Sequence, residues 1–167
     1  MAATAMAMSY GVPVEHIRQA LRTFQAVEHR IEFVKEVNGV RYYNDSKGTN
    51  PDAAIKAVEA MVRPTIVIGG GYDKKNTYEE WIASFGDKVK CLVLLGETKD
   101  AIAATAKKAG FTNIIMTQSL QEAVEVSSRE AKSGDAVLLS PACASWDMFN
   151  SYEERGKLFK EYVRALQ

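Results

Sequence analysis

A chain of 167 residues with 21 basic and 21 acidic side chains carries no net charge, which argues against the basic stripe of a nucleic-acid-binding surface. Hydrophobic residues make up 47% and aromatic residues 9%, the balance of one globular domain with room for a sizeable core. The two cysteines, Cys91 and Cys143, have no metal-ligand neighbours and are too few for a disulfide framework, so a reducing, cytoplasmic setting is expected.

Met1 to Met8 is rich in Ala and Met. It lacks a basic leader and is too short to cross a bilayer, so no membrane partner is expected. An apolar turn of this kind reads as a helix cut from something larger. Gly11-Val12-Pro13 separates it from an amphipathic helix whose apolar positions are Val14, Ile17, Leu21 and Phe24. Ile31 to Val37, the pair Asn38-Gly39 and Val40 to Tyr43 then predict a β-hairpin, because Asn-Gly suits a turn with two left-handed residues.

Beyond the hairpin, helical and apolar runs alternate. Helices are predicted over Pro51–Met61, Thr77–Phe85, Lys99–Ala109, Leu120–Ala131 and Tyr152–Leu166. Strands are predicted at Thr65–Ile68, Val89–Leu95, Asn113–Thr117 and Asp135–Ser140. Near-continuous Val/Ile/Leu strands between helices imply an α/β, Rossmann-like, mostly parallel sheet of about six strands, with one antiparallel strand from the hairpin and helices on both faces. Such sheets bind ligands beyond the carboxyl ends of their strands. Three unusual segments, 44–50, 69–75 and 140–147, each follow a strand directly and should therefore meet at one rim.

Asn44-Asp45-Ser46-Lys47-Gly48-Thr49-Asn50 leads into a helix. Asn50 fits an N-cap and Pro51 the first helical position, which leaves Asp45 and Lys47 unexplained by local structure. Gly69-Gly70-Gly71-Tyr72-Asp73-Lys74-Lys75 is neither a P-loop nor a dinucleotide fingerprint, and reads either as a tight turn or as backbone approaching a ligand, with Lys74 as a point charge for an anion. Small residues fill Ser140-Pro141-Ala142-Cys143-Ala144-Ser145, and Ser145 is expected to cap a turn beginning Trp146-Asp147-Met148. Arg30 suits a phosphate or, more plainly, a surface ion pair with Glu28 or Glu32. Glu153-Glu154-Arg155-Gly156 reads mostly as the acidic start of the last helix.

In order along nearly the whole chain, His29-Arg30-x-Glu32, Asn44 to Asn50, Gly69 to Lys74, Ser140 to Phe149 and Glu153-x-Arg155-Gly156 resemble the C-terminal domain of a Mur ligase. That resemblance implies ATP-dependent peptide-bond formation in a bacterial cell-wall precursor. ATP and Mg2+ serve the intact enzyme, with the P-loop and metal ligands in a central domain outside this sequence. The Ser-Pro-Ala-Cys-Ala-Ser segment fits the members that add D-glutamate to UDP-N-acetylmuramoyl-L-alanine. It further implies that residues 1–28 are the tail of the central domain and a hinge near Ala26–Arg30, and that residues 29–167 bind the amino acid. Arg30, Asp45 and Lys47 would serve the nucleotide, with Asp45 and Lys47 near the reacting centre. Thr49, Lys74, Ser145, Trp146 and Tyr152 would hold D-glutamate. Gly48 and Tyr152 depart from the alanine and phenylalanine usual there. Such a chain alone is expected to be inactive. Alternatives are another Mur-type or folylpolyglutamate ligase domain, or a stand-alone Rossmann-like binding module.

Overall fold

A computed structural model describes residues 2–24 and 27–167. Two helices open the chain, α1 (Ala2–Ser9) and α2 (Val14–Thr23), and neither buries a residue. Six strands follow: β1 (Glu32–Val37), β2 (Val40–Asn44), β3 (Thr65–Gly69), β4 (Val89–Leu94), β5 (Ile114–Met116) and β6 (Ala136–Leu139). Between and after them run α3 (Pro51–Ala60), α4 (Glu79–Ala83), α5 (Lys99–Lys108), α6 (Leu120–Glu130) and α7 (Tyr152–Ala165). No described helix is long and apolar enough to cross a membrane.

The hairpin forms as its turn chemistry requires: Asn38 and Gly39 take φ of 51° and 80°. β1 pairs antiparallel with β2, and every other pairing is parallel, in the order β1-β2-β6-β3-β4-β5. Alternation along the strands sends Val67, Leu92 and Leu138 into one core under α3, α4 and α5. Ile66, Ile68, Val93 and Val137 go to the other, under α6 and α7. The two cysteines are buried on opposite faces, Cys143 in the first core and Cys91 in the second.

The strand order positions the site. β6 is last in sequence but lies between β2 and β3, with Leu139 beside both Asn44 and Ile68. The segments leaving β2, β3 and β6 are thereby side by side at one edge, as the sequence pattern predicts. Most boundaries fall within one residue of that pattern, and two differences have a local cause. α4 covers only Glu79–Ala83, because Tyr78, with φ of −121° and ψ of 2°, stands outside the helix as its N-cap. β1 starts at Glu32, because Ile31 adopts φ of 46° and cannot join a strand.

Candidate functional site

The segment after β2 folds inward. Asn50 caps α3 by accepting from the Ala53 amide at 2.9 Å, with Pro51 at the first helical position, as its sequence predicts. Asp45 is 4% exposed and accepts from the Ser140 hydroxyl at 2.7 Å and the Ile31 amide at 3.3 Å. Burial raises its carboxyl to about 6, against the opposing pull of those two donors and of the Arg30 and Arg155 charges. A Cβ at Gly48 would press on the Asp45 carboxylate and the Ser140 hydroxyl, so the glycine here is tied to that buried pair. Lys47 is only partly covered, with its ammonium 5.6 Å from the centre of the Tyr152 ring.

Arg30 is carried on a bent backbone. His29 and Ile31 on either side of it have φ of 64° and 46°, an uncommon conformation for side chains of this kind. Three hydrogen bonds fasten this turn to the segment after β2. They are Lys47 N to His29 O at 3.0 Å, Ile31 N to Asp45, and Asn44 Nδ2 with His29 Nδ1 at 2.9 Å. Arg30 itself is exposed and makes no ion pair among the described residues. The expected surface pair with Glu28 or Glu32 is absent because Lys160, on α7, takes both carboxylates, at 2.6 and 3.1 Å. The same ammonium occupies the grouping Glu28–His29–Glu32, which would otherwise offer three donor atoms to a cation. Of the hinge expected at Ala26–Arg30, Ala26 lies outside the described residues.

The segments after β3 and β6 close the site. Gly70 and Gly71 take φ of 102° and 147°, and at Gly71 a Cβ would meet the Ala144 carbonyl, so this approach requires glycine. Tyr72 and Ala144 form a single bridge, and the Tyr72 and Trp146 rings lie 5.7 Å apart. Ser145 does not cap a helix: residues 146–148 form only a turn, and it is the Ser145 carbonyl that accepts from Met148 and Phe149 at 3.1 and 2.8 Å. The cap at this edge belongs to Ser151, whose hydroxyl accepts from the Glu154 amide at 3.2 Å and starts α7. Cys143 is fully buried against Thr98 and Tyr78, at 3.3 Å from each hydroxyl, and burial raises its thiol, which suits packing and not nucleophilic attack.

Between these segments lies a cavity of about 130 Å³ lined by Thr49, Lys74, Ala144, Ser145, Trp146 and Tyr152. Five of these six are the residues expected to hold an amino acid, drawn from four separate stretches of sequence. Lys74 is exposed and pairs with no carboxylate among the described residues, since Asp73 is taken by Lys75 at 2.8 Å. A small cavity with an unpaired ammonium at its mouth fits a compact anionic ligand.

The sequence pattern of the Mur ligase glutamate ligase domain matches residues 29–143. The chain belongs to the Mur ligase family. It is 56% identical over all its 167 residues to the UDP-N-acetylmuramoylalanine--D-glutamate ligase of Lachnoclostridium phytofermentans, and 50% identical to that of Thermoanaerobacter pseudethanolicus. It spans 37% of the length of each. Among solved structures, the UDP-N-acetylmuramate-alanine ligase of Thermotoga maritima superposes with a TM-score of 0.69 at 15% identity, covering 96% of this chain and 36% of that one. The folylpolyglutamate synthase of Mycobacterium tuberculosis, complexed with ADP and AMPPCP, gives 0.65 at 11%, covering 92% and 37%. These two share the fold. Membership in the Mur ligase family removes the reading of the chain as a binding module unrelated to ligases.

Two buried residues at this site are given no role by sequence reasoning, although both stand in motifs that carry the resemblance, His29-Arg30-x-Glu32 and Glu153-x-Arg155-Gly156. Arg155, read as part of an acidic helix start, is 2% exposed and binds the backbone of two site segments. His29 is 3% exposed, and its ring lies where a Cβ on Gly156 would be. Beyond those motifs, the local signal was the glycine, which weakens a helix interior unless something packs against it.

Proposed function

We propose that residues 29–167 form the amino-acid-binding domain of an ATP-dependent ligase that joins D-glutamate to UDP-N-acetylmuramoyl-L-alanine, a cytoplasmic step of peptidoglycan precursor synthesis. Residues 1–28 are then the tail of the central domain and its hinge. The observation that carries this reading is the cavity that unites Thr49, Lys74, Ser145, Trp146 and Tyr152. The names of the 56% and 50% identical relatives support D-glutamate over the substrates of sister ligases.

ATP supplies the phosphoryl group that makes the acceptor carboxylate an acyl phosphate. The amino nitrogen of D-glutamate then attacks the acyl carbon, a C–N bond forms, and the C–O bond to phosphate breaks as a proton leaves the nitrogen. This chain contributes binding and orientation. Lys74 and the Ser145 hydroxyl receive the carboxylates, while Thr49 and the Trp146 backbone complete the seat beside Tyr152. Arg30 and Lys47 are unpaired cations on adjoining segments, a fit for the phosphates of a nucleotide. Asp45 serves that side by holding the turn that carries Arg30, through the Ile31 amide. The residues present do not fit Mg2+, because the one carboxylate–imidazole grouping among the described residues already holds the Lys160 ammonium.

An amide-shift titration of this chain with D-glutamate, L-glutamate and D-alanine tests the reading. D-glutamate is expected to shift Thr49, Lys74 and Ser145 selectively, with a Kd on the order of 1 mM. Equal responses to all three ligands reject it.

A further inference from the structure

We infer that Arg155, which lies behind the lining of this cavity, is the positioning residue that builds the carboxylate seat: it locks the Ser46 and Cys143–Ala144 backbones together and polarises the amide of Ser145. This inference rests on the reading of the cavity as an amino-acid site.

The guanidinium uses all three nitrogens. Nε donates to Ser46 Oγ at 2.9 Å and Nη2 to Ser46 O at 2.8 Å. Nη1 donates to Cys143 O at 3.2 Å and Ala144 O at 3.3 Å. Ser46 Oγ in turn donates to Tyr152 O at 2.7 Å, so the segment after β2, the segment after β6 and the start of α7 share one junction. A planar fork suits this task, and a lysine cannot reach four acceptors on separate segments.

No carboxylate stands within 4.0 Å of Arg155 among the described residues, so the groups it touches directly are three peptide carbonyls and the Ser46 hydroxyl. Burial pulls its guanidinium down to about 10, which still leaves it charged at neutral pH. Charge accepted at a carbonyl strengthens the N–H of the same peptide unit as a donor. Ala144 O belongs to the peptide that carries Ser145 N–H. Neither Ser145 N–H nor the adjacent Trp146 N–H has an acceptor among the described residues, and both residues line the cavity. A buried cation thus reaches a ligand carboxylate through one peptide without being exposed to water.

The test compares wild type with Arg155→Lys, which keeps the charge but not the fork, and Arg155→Gln, which removes the charge. Binding of D-glutamate is read by titration, and the ligand-free amide spectrum is read beside it. Arg155→Gln is expected to weaken D-glutamate at least tenfold and to move the Ser145 and Trp146 amide resonances in the absence of ligand. Arg155→Lys is expected to recover part of both. An Arg155→Gln chain that binds D-glutamate within twofold of wild type overturns the inference. A wild-type chain that ignores D-glutamate rejects the ligand reading, and the ligand-free spectra then decide: unmoved Ser145 and Trp146 resonances in Arg155→Gln overturn the inference, and displaced ones support it. Should Arg155→Gln not fold, the wild-type spectrum still serves. The four hydrogen bonds require slowly exchanging, resolved guanidinium protons on Arg155, and averaged ones overturn the inference.

Discussion

The buried polar layer behind the cavity lining, its floor in the sense of support, and the lip sit within a few residues of each other and are built on different terms. In the floor, Asp45, Ser46, Ser140 and Arg155 are each at most 4% exposed and hydrogen-bond to one another or to nearby backbone. At the lip, Lys74 and Trp146 stand exposed, and Lys47 rests on an aromatic face. The difference separates two physical tasks. A buried polar network has two discrete fates, intact or broken, and so fixes geometry. Exposed cations have little structural value and leave their charge available to a ligand.

The comparison breaks most visibly at Arg155. Replacement by Met orphans the Ser46 and Cys143 carbonyls, and urea denaturation is expected to show a loss of about 3 kcal/mol. A loss under 1 kcal/mol would put the floor on the same footing as the lip.

Asp45 gives a pH test of the same network. Its carboxyl lies at about 6 in the fold against 3.8 unfolded, so the folded chain holds the extra proton between those values. Stability from this group therefore falls as pH rises from about 4 to about 6, and above that window its ionised form is a burden on the order of 3 kcal/mol. Asp45→Asn retains an acceptor for Ile31 N and a partner for Ser140. The variant is expected to be more stable than wild type at pH 7, equal to it near pH 4, and flatter between. A variant destabilised equally at both values contradicts this account.

Gly156 tests the smaller contact beneath the turn at His29–Ile31. Alanine gains roughly 1 kcal/mol of helix propensity but meets the His29 ring, an overpacking of about 1–3 kcal/mol. A net loss of about 1 kcal/mol is expected in wild type. In a His29→Ala background the sign should reverse, and additive effects in the double-mutant cycle would disprove the contact.

The lip should show the smallest structural effect. Lys74→Met is expected to change unfolding free energy by less than about 0.5 kcal/mol. The same variant should weaken D-glutamate about tenfold or more, the worth of one charge-assisted hydrogen bond. A variant that is destabilised but binds normally would reverse the assignment of floor and lip.

Much of the candidate site was legible before any coordinates. The cavity-lining residues Thr49, Lys74, Ser145, Trp146 and Tyr152 could be named because the motifs around them, placed after strands or at a helix start, resemble a known family. The burial and contacts of Arg155 and His29 were not legible, although both fall within motifs that carry the resemblance. For Arg155, the local reading as part of an acidic helix start was adequate by itself. The Ser145 cap was misplaced for the same reason. Small polar residues signal a turn, but whether that turn continues as a helix depends on what the next residues pack against.

By itself the sequence determined the elements. Hydrophobic period set strands and helices, Asn38-Gly39 set the hairpin, and Asn50-Pro51 set the start of α3. These are local matters, decided by backbone sterics and by hydrogen bonds within a few residues. Only the tertiary structure decided that β6 inserts between β2 and β3, and that Arg155 reaches across 109 residues to Ser46. Those outcomes depend on which surfaces are buried against each other, and burial turns an ordinary arginine into the junction of the site.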